Sequence, residues 1–312
     1  MHHFTSVRRS GPSAGVIIPH IGPAGRNGYL LGVQVTAEET ELAGALGERP
    51  AFVPTMGALH EGHVSLIRHA AGLGHQVVVS IFVNPTQFAP NEDLATYPRT
   101  REDDIERARE AGADVIFIPD EQVVYPGGSR AAERGAAAIQ LPEVATRPGL
   151  EDACRRHFFG GVCLVVGRLF DLIRPGPAIF GEKDYQQFMV IRSMVQEQAE
   201  RFEGIEVIGC PTIREPDGLA MSSRNVRLTS DTRERALGPY RALQAAGQAE
   251  TPREAEASMA EVLDAHDLEI QYAVIRDAET LEAVSDDGRP MRALIAATLD
   301  GLRLIDNAPY PG

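Results

Sequence analysis

The sequence predicts an α/β protein in which a Rossmann-like, doubly wound parallel sheet is followed by a smaller C-terminal α+β domain. Up to residue 210, apolar runs bounded by turn residues alternate with segments of helical periodicity, which is the pattern of βαβ units. After residue 230, an alanine-rich helical stretch precedes three further apolar runs. We therefore predict a disordered extension over residues 1–28, a Rossmann-like domain over 29–212 and a C-terminal lid domain over 213–312.

Composition argues against several classes of partner. The 312 residues include 30 basic and 44 acidic side chains, and the net charge of −14 disfavours a nucleic-acid groove or an anionic membrane as the main partner. No apolar run reaches the length of a membrane span, and the N-terminus lacks the apolar core of a secretory signal. The three cysteines are odd in number and lack metal spacing, which favours reduced, buried thiols in a cytoplasmic protein.

The first elements lead to an unusual turn. Residues 1–28 are rich in glycine, proline, arginine and histidine, and without periodicity we expect them to be disordered or loosely attached. A first helix is predicted over 36–46. The apolar run 51–53 predicts a short buried strand, and 64–71 predicts an amphipathic helix. The turn between them, 54–63, is the strongest indication of chemistry in the chain.

That turn has the features of a phosphate site. Gly57 and Gly62 carry no Cβ, so a ligand can approach the backbone closely. Free N–H groups at the start of the following helix favour a phosphate. His60 and His63, one helical turn apart, would point the same way as two imidazole donors. They could instead be a surface pair or metal ligands, although no nearby cysteine or third histidine completes a zinc set.

A second polar turn follows the next strand. The β-branched run 76–83 is typical of a parallel strand covered on both faces, and it ends at the turn 84–88. Ligands bind beyond the carboxyl ends of such strands where the strand order reverses, so this turn and 54–63 can face one crevice. Asn84 most simply satisfies the backbone of its turn, and the residues alone leave the role of Gln87 open.

The region 101–161 adds one strand and fewer candidates. The charges of helix 101–110 are most simply a solvated face, and 114–119 predicts a strand that ends in a proline. The glycine-, proline- and alanine-rich connection 125–149 should run over the surface. Arg155 and Arg156, ahead of a glycine-marked helix start, could meet an anion or could merely be solvated.

The remaining candidates follow later strands. After helix 162–173 and strand 178–180, Lys183 is well placed to neutralise phosphate charge, although a surface Lys–Asp pair of little value is the alternative. After strand 206–210, the loop 214–225 offers two hydroxyls and a guanidinium, which suits phosphate binding, although serine-rich loops usually have no special role. Residues 230–266 read as helical, and three strands are predicted over 269–275, 291–297 and 302–305.

Taken together, the sequence motifs resemble those of a known enzyme family. His60-Glu61-Gly62-His63 is similar to the His-x-Gly-His signature of nucleotidyltransferases, the superfamily that includes class I aminoacyl-tRNA synthetases. Five further stretches follow in order, at 82–88, 97–99, 181–187, 217–225 and 304–307. With them, the chain resembles the pantothenate synthetase (pantoate–β-alanine ligase) family from about residue 33 to residue 307.

The resemblance implies an ATP-dependent ligase. Pantoate would attack the α-phosphate of ATP to give pantoyl adenylate and pyrophosphate, and the amine of β-alanine would then release pantothenate and AMP. It also implies Mg²⁺ beside the ATP phosphates, a homodimer, a cytoplasmic location, and neither a nucleic-acid nor a membrane partner. A loop of the second domain that closes over ATP would exclude water from the activated acyl group.

The resemblance also implies roles for individual residues. The residues expected to bind ATP are Met56, Gly57, Ala58, Leu59, His60, Glu61, Gly62, His63, Gly181, Glu182, Lys183, Asp184, Ile213, Met221, Ser222, Ser223 and Arg224. Within this set the expected catalytic residues are His63 as proton donor, His60 assisting at the phosphates, and Lys183, Ser222, Ser223 and Arg224 steadying the phosphate charge. Gln87 would bind pantoate and lie near β-alanine, and Gln187 would bind pantoate.

Two positions depart from the family pattern. An ungapped match places Phe158 where a histidine is expected, with His157 one place earlier. Either the loop shifts by one residue or a substrate-side donor is missing, and the role of Arg155 is open with it. Arg168 replaces an expected lysine and keeps its charge.

Two other functions fit these residues less well than the ligase. A transferase of the same superfamily that joins a nucleotide to a phosphorylated metabolite would need a basic pocket, whereas Gln87 and Gln187 offer neutral donors. A nucleotide-binding module without catalysis would not need His60, His63 and Lys183 together with residues 222–224. The intact set favours the ligase.

Overall fold

The computed structural model describes residues 17–18, 32–89, 93–284 and 288–311. Its strands are Ile17–Ile18 (β1), Val33–Thr36 (β2), Ala51–Thr55 (β3), Val77–Ile81 (β4), Val115–Phe117 (β5), Pro177–Gly181 (β6), Glu206–Cys210 (β7), Glu269–Asp277 (β8), Met291–Leu299 (β9) and Leu302–Tyr310 (β10). Its α-helices are Glu39–Ala45 (α1), Glu61–Gly72 (α2), Arg101–Ala111 (α3), Glu121–Val124 (α4), Ser129–Ala138 (α5), Glu151–Cys154 (α6), Phe158–Ile173 (α7), Tyr185–Glu197 (α8), Ser230–Ala236 (α9), Gly238–Ala246 (α10) and Pro252–Ala265 (α11).

The larger sheet is doubly wound, which confirms the predicted fold class. Its strand order is β1-β2-β5-β4-β3-β6-β7; β2 to β7 run parallel, and β1 pairs antiparallel at the edge. From β3 the chain proceeds through β4 to β5 on one side and then returns to place β6 beside β3. The strand order therefore reverses between β3 and β6, where open α/β sheets bind their ligands.

Helices cover both faces of this sheet. Successive side chains of a strand point to opposite faces, and in β3 Phe52 joins one core with α7 and α8, whereas Val53 joins the other with α2 and α3. Every residue of β4 is buried, as its uninterrupted apolar run predicts. The loops beyond the strand ends are therefore attached to strands that are packed on both faces.

The C-terminal part is a three-stranded antiparallel sheet, β10-β9-β8, packed against three helices. The helical stretch expected over 230–266 is divided into α9, α10 and α11. Side chains of α10, α11 and β9 such as Ala242, Met259 and Ile295 are fully or almost fully buried in a core of their own. The exact domain boundary at residue 212 stays a prediction.

The expectation that 125–149 runs over the surface is only partly right, because most of its side chains are exposed or half-buried but a few enter the core. Helix α5 packs on α7 with Ala132 buried, and Val144 and Ala145 belong to the main core. The alanine-rich run within this region has high helix propensity, which favours α5.

Helix α7 begins at Phe158 rather than at residue 162, so that Gly160 and Gly161 lie inside it. A Cβ on Gly160 would stand 2.2 Å from the carbonyl oxygen of Ala136, and a Cβ on Gly161 would stand 2.3 Å from that of Thr86. These glycines therefore permit close backbone packing and do not mark the start of the helix.

Cys163 and Cys210 are buried thiols as predicted, but Cys154 is exposed because the short helix α6 ends at the surface. Most of the extension 1–28 lies outside the described residues; Ile17 and Ile18 pair with Gln34 and Val33. None of the helices in the described ranges has the combination of length and apolarity needed to cross a membrane.

Candidate active site

A cavity of about 250 Å³ lies beyond the carboxyl ends of the strands where the sheet order reverses. Its wall contains most of the predicted site residues: Met56, His60, Gly62, His63, Gln87, Gly181, Lys183, Asp184, Gln187, Ile213, Met221, Ser222, Ser223 and Arg224. A larger cavity of about 510 Å³ adjoins it and shares Arg155, Lys183, Asp184, Ser222 and Arg224. Segments more than 160 residues apart in sequence thus meet around one space.

The two histidines form a reciprocal cap at the start of α2. The backbone N–H of His60 donates to Nδ1 of His63 at 3.3 Å, and the N–H of Gly62 donates to Nδ1 of His60 at 3.1 Å. Their ring centroids are 4.1 Å apart. A Cβ on Gly62 would lie 2.8 Å from the His60 ring, which explains the glycine between them. The expectation of a free N–H is wrong for Gly62, because an imidazole already accepts its hydrogen bond.

Both imidazoles are neutral at physiological pH. Burial and the nearby charge of Lys183 lower the pKa of His60 to about 4. Burial, His60 and Lys183 lower the pKa of His63 to about 3. Since Nδ1 of each neutral ring accepts a backbone hydrogen bond, the single proton of each ring is on Nε2. The pair therefore offers two N–H donors and no positive charge of its own.

Asp104 fixes the turn that carries this pair. Gly57 and Ala58 have φ angles of +81° and +50°, so the backbone is in the left-handed region at two successive residues. The carboxylate of Asp104 accepts the N–H of Ala58 at 3.0 Å and that of Leu59 at 2.7 Å. Its exposed fraction is 1%. The expectation of a solvated face on this helix is wrong at Asp104, because two backbone donors of a distant turn need its oxygens.

The second turn is organised by Asn84, as expected for a structural residue. Its side chain accepts hydrogen bonds from the Thr86 N–H and the Tyr125 hydroxyl and donates to the carbonyl of Gly161. It also donates to Oε1 of Gln87 at 3.0 Å. This bond orients the Gln87 amide so that its NH₂ group donates to the sulfur of Met56 at 3.0 Å. Both side chains line the cavity.

Lys183 reaches the cavity from the short turn Glu182–Asp184 between β6 and α8. Its Nζ is 3.8 Å from the Asp184 carboxylate, and 21% of its side chain is exposed. A mostly buried lysine whose charge acts on His60 and His63 is more than a surface ion pair.

The loop after β7 closes one side of the cavity. Ser222 caps the short 3₁₀ helix Ser223–Arg227 by accepting the N–H of Arg224. The Ser223 hydroxyl is 3.4 Å from the Tyr97 hydroxyl, and the Arg224 guanidinium lies 5.7 Å from the centre of the Tyr97 ring. The structure thus keeps both hydroxyls and the guanidinium at the cavity edge.

The side chains of Phe158 and His157 have different surroundings. Its side chain lines the cavity, whereas His157 is exposed at the N-cap of α7. In this structure the Phe158 ring, and not the His157 imidazole, therefore faces the cavity. The Arg155 guanidinium lies 3.9 Å from the centre of the Phe158 ring and donates to the carbonyl of Gln87. Arg168 contacts Glu39 and the carbonyl of Val123 and lies outside the cavity wall.

Five residues expected to bind ATP lie outside this wall: Gly57, Ala58, Leu59, Glu61 and Glu182. Leu59 is buried, and Glu61 faces Arg68 at the surface. The Glu182 carboxylate pairs with Arg292 at 2.7 Å. The first three shape the histidine turn, and Glu182 is directed toward the C-terminal sheet.

Within the described part of the chain, no cluster of three histidine, cysteine, aspartate or glutamate side chains could hold a metal ion. Asp184 is the one carboxylate among the described residues of the cavity wall. A single carboxylate suits a Mg²⁺ ion held mainly by phosphate oxygens and water.

Comparison with known proteins gives consistent matches. A family model described as Pantoate-beta-alanine ligase matches residues 33–309. A pantothenate synthetase of Nitrobacter winogradskyi is 47% identical over 265 residues, which cover 82% of this chain and 89% of the relative. The crystal structure of pantothenate synthetase from Thermus thermophilus has a TM-score of 0.79 at 40% identity, covering 88% of this chain and 98% of its own. A Francisella tularensis pantoate-beta-alanine ligase, crystallised with beta-gamma ATP and beta-alanine, has a TM-score of 0.69 at 33% identity. The match covers 88% of this chain and 97% of that one.

Proposed function

The chain belongs to the pantoate–β-alanine ligase family, and from this premise we propose that its cavity forms pantothenate through a pantoyl-adenylate intermediate. In the first step, a pantoate carboxylate oxygen bonds to the α-phosphorus of ATP, and the bond from that phosphorus to the bridging oxygen breaks to release pyrophosphate. In the second step, the β-alanine nitrogen bonds to the acyl carbon, the acyl–oxygen bond breaks, and AMP and a proton leave.

The observation that carries this proposal is the make-up of the cavity wall. Lys183, Arg224 and the two histidines supply positive charge and N–H donors, and we infer that they form a phosphate side. Gln87 and Gln187 supply uncharged amides that suit a hydroxy acid, and we infer that they form a neutral side. Arg155 is a further cation of this wall, and its guanidinium already contacts the Phe158 ring and the Gln87 carbonyl.

The neutral side also has an apolar wall. Pantoate carries two methyl groups on one carbon, and burying them requires apolar surface rather than further donors. The side chains of α7 that line the cavity supply it: Phe158, Val162, Val165, Val166 and Leu169. We infer that this face fixes the carbon skeleton of pantoate while the amides bind its oxygens.

On the phosphate side, we infer that His60 and His63 act as hydrogen-bond donors through Nε2–H. A ring whose pKa is about 3 has no second proton to give at neutral pH. Donors fixed in place before reaction stabilise charge that develops on the phosphate without reorganising. Lys183 and Arg224 would neutralise the departing pyrophosphate.

When Mg²⁺ is bound, it would neutralise phosphate charge, and Asp184 would be its contact with the protein. The remaining assignments rest on the family resemblance. A homodimer and a cytoplasmic location stay predictions.

The test is pyrophosphate release from Mg-ATP, measured with and without pantoate and β-alanine. We expect release to require pantoate, and AMP and pantothenate to accumulate once β-alanine is added. Release that is independent of pantoate, or ADP as the product, would overturn the proposal.

A further inference from the structure

We propose that Asn307 and Arg292, on the C-terminal sheet, are positioning residues that hold Lys183 at the cavity. The inference builds on the proposed function, since Lys183 is assigned there to the phosphates. Asn307 is on β10 and Arg292 on β9, so neither belongs to the sheet that carries the reactive loops. Both side chains are buried.

The turn that carries Lys183 depends on support from elsewhere. Among the described residues, neither end of the turn Glu182–Asp184 has a side-chain cap. Instead, Nδ2 of Asn307 donates to the carbonyl of Glu182 and to that of Lys183, each at 2.9 Å. One amide group thus holds two successive peptide units, including the unit from which the Lys183 side chain extends.

Arg292 fixes the orientation of that amide. Its Nε donates to Oδ1 of Asn307 at 2.7 Å, so the NH₂ group of Asn307 faces the two carbonyls. Its Nη2 donates to the Glu182 carboxylate at 2.7 Å, and the guanidinium stacks 3.7 Å from the centre of the Tyr185 ring. Arg292 therefore makes three contacts that support the turn: with the Asn307 amide, with the Glu182 carboxylate and with the Tyr185 ring.

This arrangement gives Glu182 a different role from ATP binding. Its carboxylate points toward Arg292 and is the attachment of the turn to the C-terminal sheet. Because small misplacements of a group that contacts the reacting atoms can cost a hundredfold in rate, an attachment so close to Lys183 should affect catalysis.

The experiment uses Asn307→Asp, which keeps the shape and the acceptor for Arg292 but sets an oxygen against two carbonyl oxygens. We expect kcat/KM for ATP in pyrophosphate release to fall at least tenfold, while KM for pantoate changes less than twofold. The double variant Asn307→Asp with Lys183→Met should be no slower than Lys183→Met alone, because the asparagine acts through the lysine.

Tyr310→Phe is the matched control. It removes a 3.2 Å hydrogen bond from the same strand to the carbonyl of Ala249, in the separate core of the C-terminal part, and should leave kcat/KM for ATP within twofold of wild type. If Asn307→Asp does not fold, Glu182→Gln, which weakens the Arg292 ion pair, should lower the same constant three- to tenfold. Wild-type kinetics for Asn307→Asp, an effect that adds to that of Lys183→Met, or an equal loss in Tyr310→Phe would overturn the proposal.

Two measurements separate this inference from the function itself. Pantoate-dependent pyrophosphate release by the wild type tests the function. Direct titration of wild type and Asn307→Asp with Mg-ATP, without pantoate, tests the positioning of Lys183 whatever the second substrate is. We expect the variant to bind Mg-ATP at least fivefold more weakly, and equal affinities would count against the role of Asn307.

Discussion

Replacing His63 by asparagine or by glutamine should separate the two roles of its ring. The Oδ1 of asparagine stands near the place of Nδ1 and can accept the N–H of His60, whereas the NH₂ of glutamine reaches toward the place of Nε2. We expect His63→Asn to retain the turn and lose adenylate formation about 10² fold or more, as when a fixed donor is removed from a transition state. His63→Gln should retain clearly more activity than His63→Asn.

The pH dependence of the free energy of unfolding tests whether the His63 ring is neutral, and its size follows from the pKa of that ring. The pKa of His63 is about 3 in the folded protein, against about 6.5 in an unfolded chain. The unfolded state therefore binds more protons below pH 6.5, and stability is lost as the pH falls. The folded ring stays neutral down to pH 5, so unfolded-state protonation sets the size: about 2 kcal/mol lost between pH 8 and pH 5. Between these two pH values the free energy of unfolding of the wild type should therefore fall by about 2 kcal/mol more than that of His63→Asn, because asparagine does not titrate.

Urea unfolding at both pH values measures the difference. The chain has no tryptophan, so far-ultraviolet circular dichroism is the suitable signal. His69→Asn, the same substitution at an exposed histidine in the last turn of the same helix, is the control for the change of side chain itself. Equal losses in wild type and His63→Asn would refute the neutral, buried imidazole, and equal activities of the asparagine and glutamine variants would refute the donor role.

Two further changes test the rest of the cavity. Gln187→Ala should raise KM for pantoate about three- to tenfold, the value of a net hydrogen bond, with KM for ATP within twofold, and equal changes in both would count against its assignment. Asp104→Ala leaves the N–H groups of Ala58 and Leu59 without their acceptor and should lower the free energy of unfolding in urea by about 3 kcal/mol, with loss of most of the activity. Asp104→Asn keeps one acceptor oxygen and should lower it less. Unchanged stability of the alanine variant would contradict the argument.

The sequence predicts the strands of this fold well because burial leaves its mark locally. β3, β4 and β7 are found where their apolar runs indicate. His60 and His63 adjoin as well, although as the N-cap and the third residue of α2, whose rings cap each other's ends, rather than as two residues of one helical turn. Periodicity requires no knowledge of the partner element. The features that it captures are those in which each residue is placed by its own neighbours in the chain.

What the sequence does not reveal depends on partners distant along the chain. Asp104 looks like one more charge on a charged helix until the turn that it supports, more than 40 residues earlier, is in place. Gly161 looks like a helix boundary until the carbonyl of Thr86 is seen against it. Glu182 belongs to a motif of the ATP site, yet Arg292, 110 residues later, accounts for its direction.

These long-range contacts also bear on how the cavity closes. Besides Arg292 and Asn307, the C-terminal sheet contributes Arg303, which pairs with the buried carboxylate of Glu151 at 2.6 Å. Swinging the whole sheet away would break each of these pairs, and leaving one partner of a buried ion pair alone costs about 3–5 kcal/mol. We therefore expect the C-terminal sheet to stay in place when ATP enters, so that Lys183 is held at the cavity before substrate arrives.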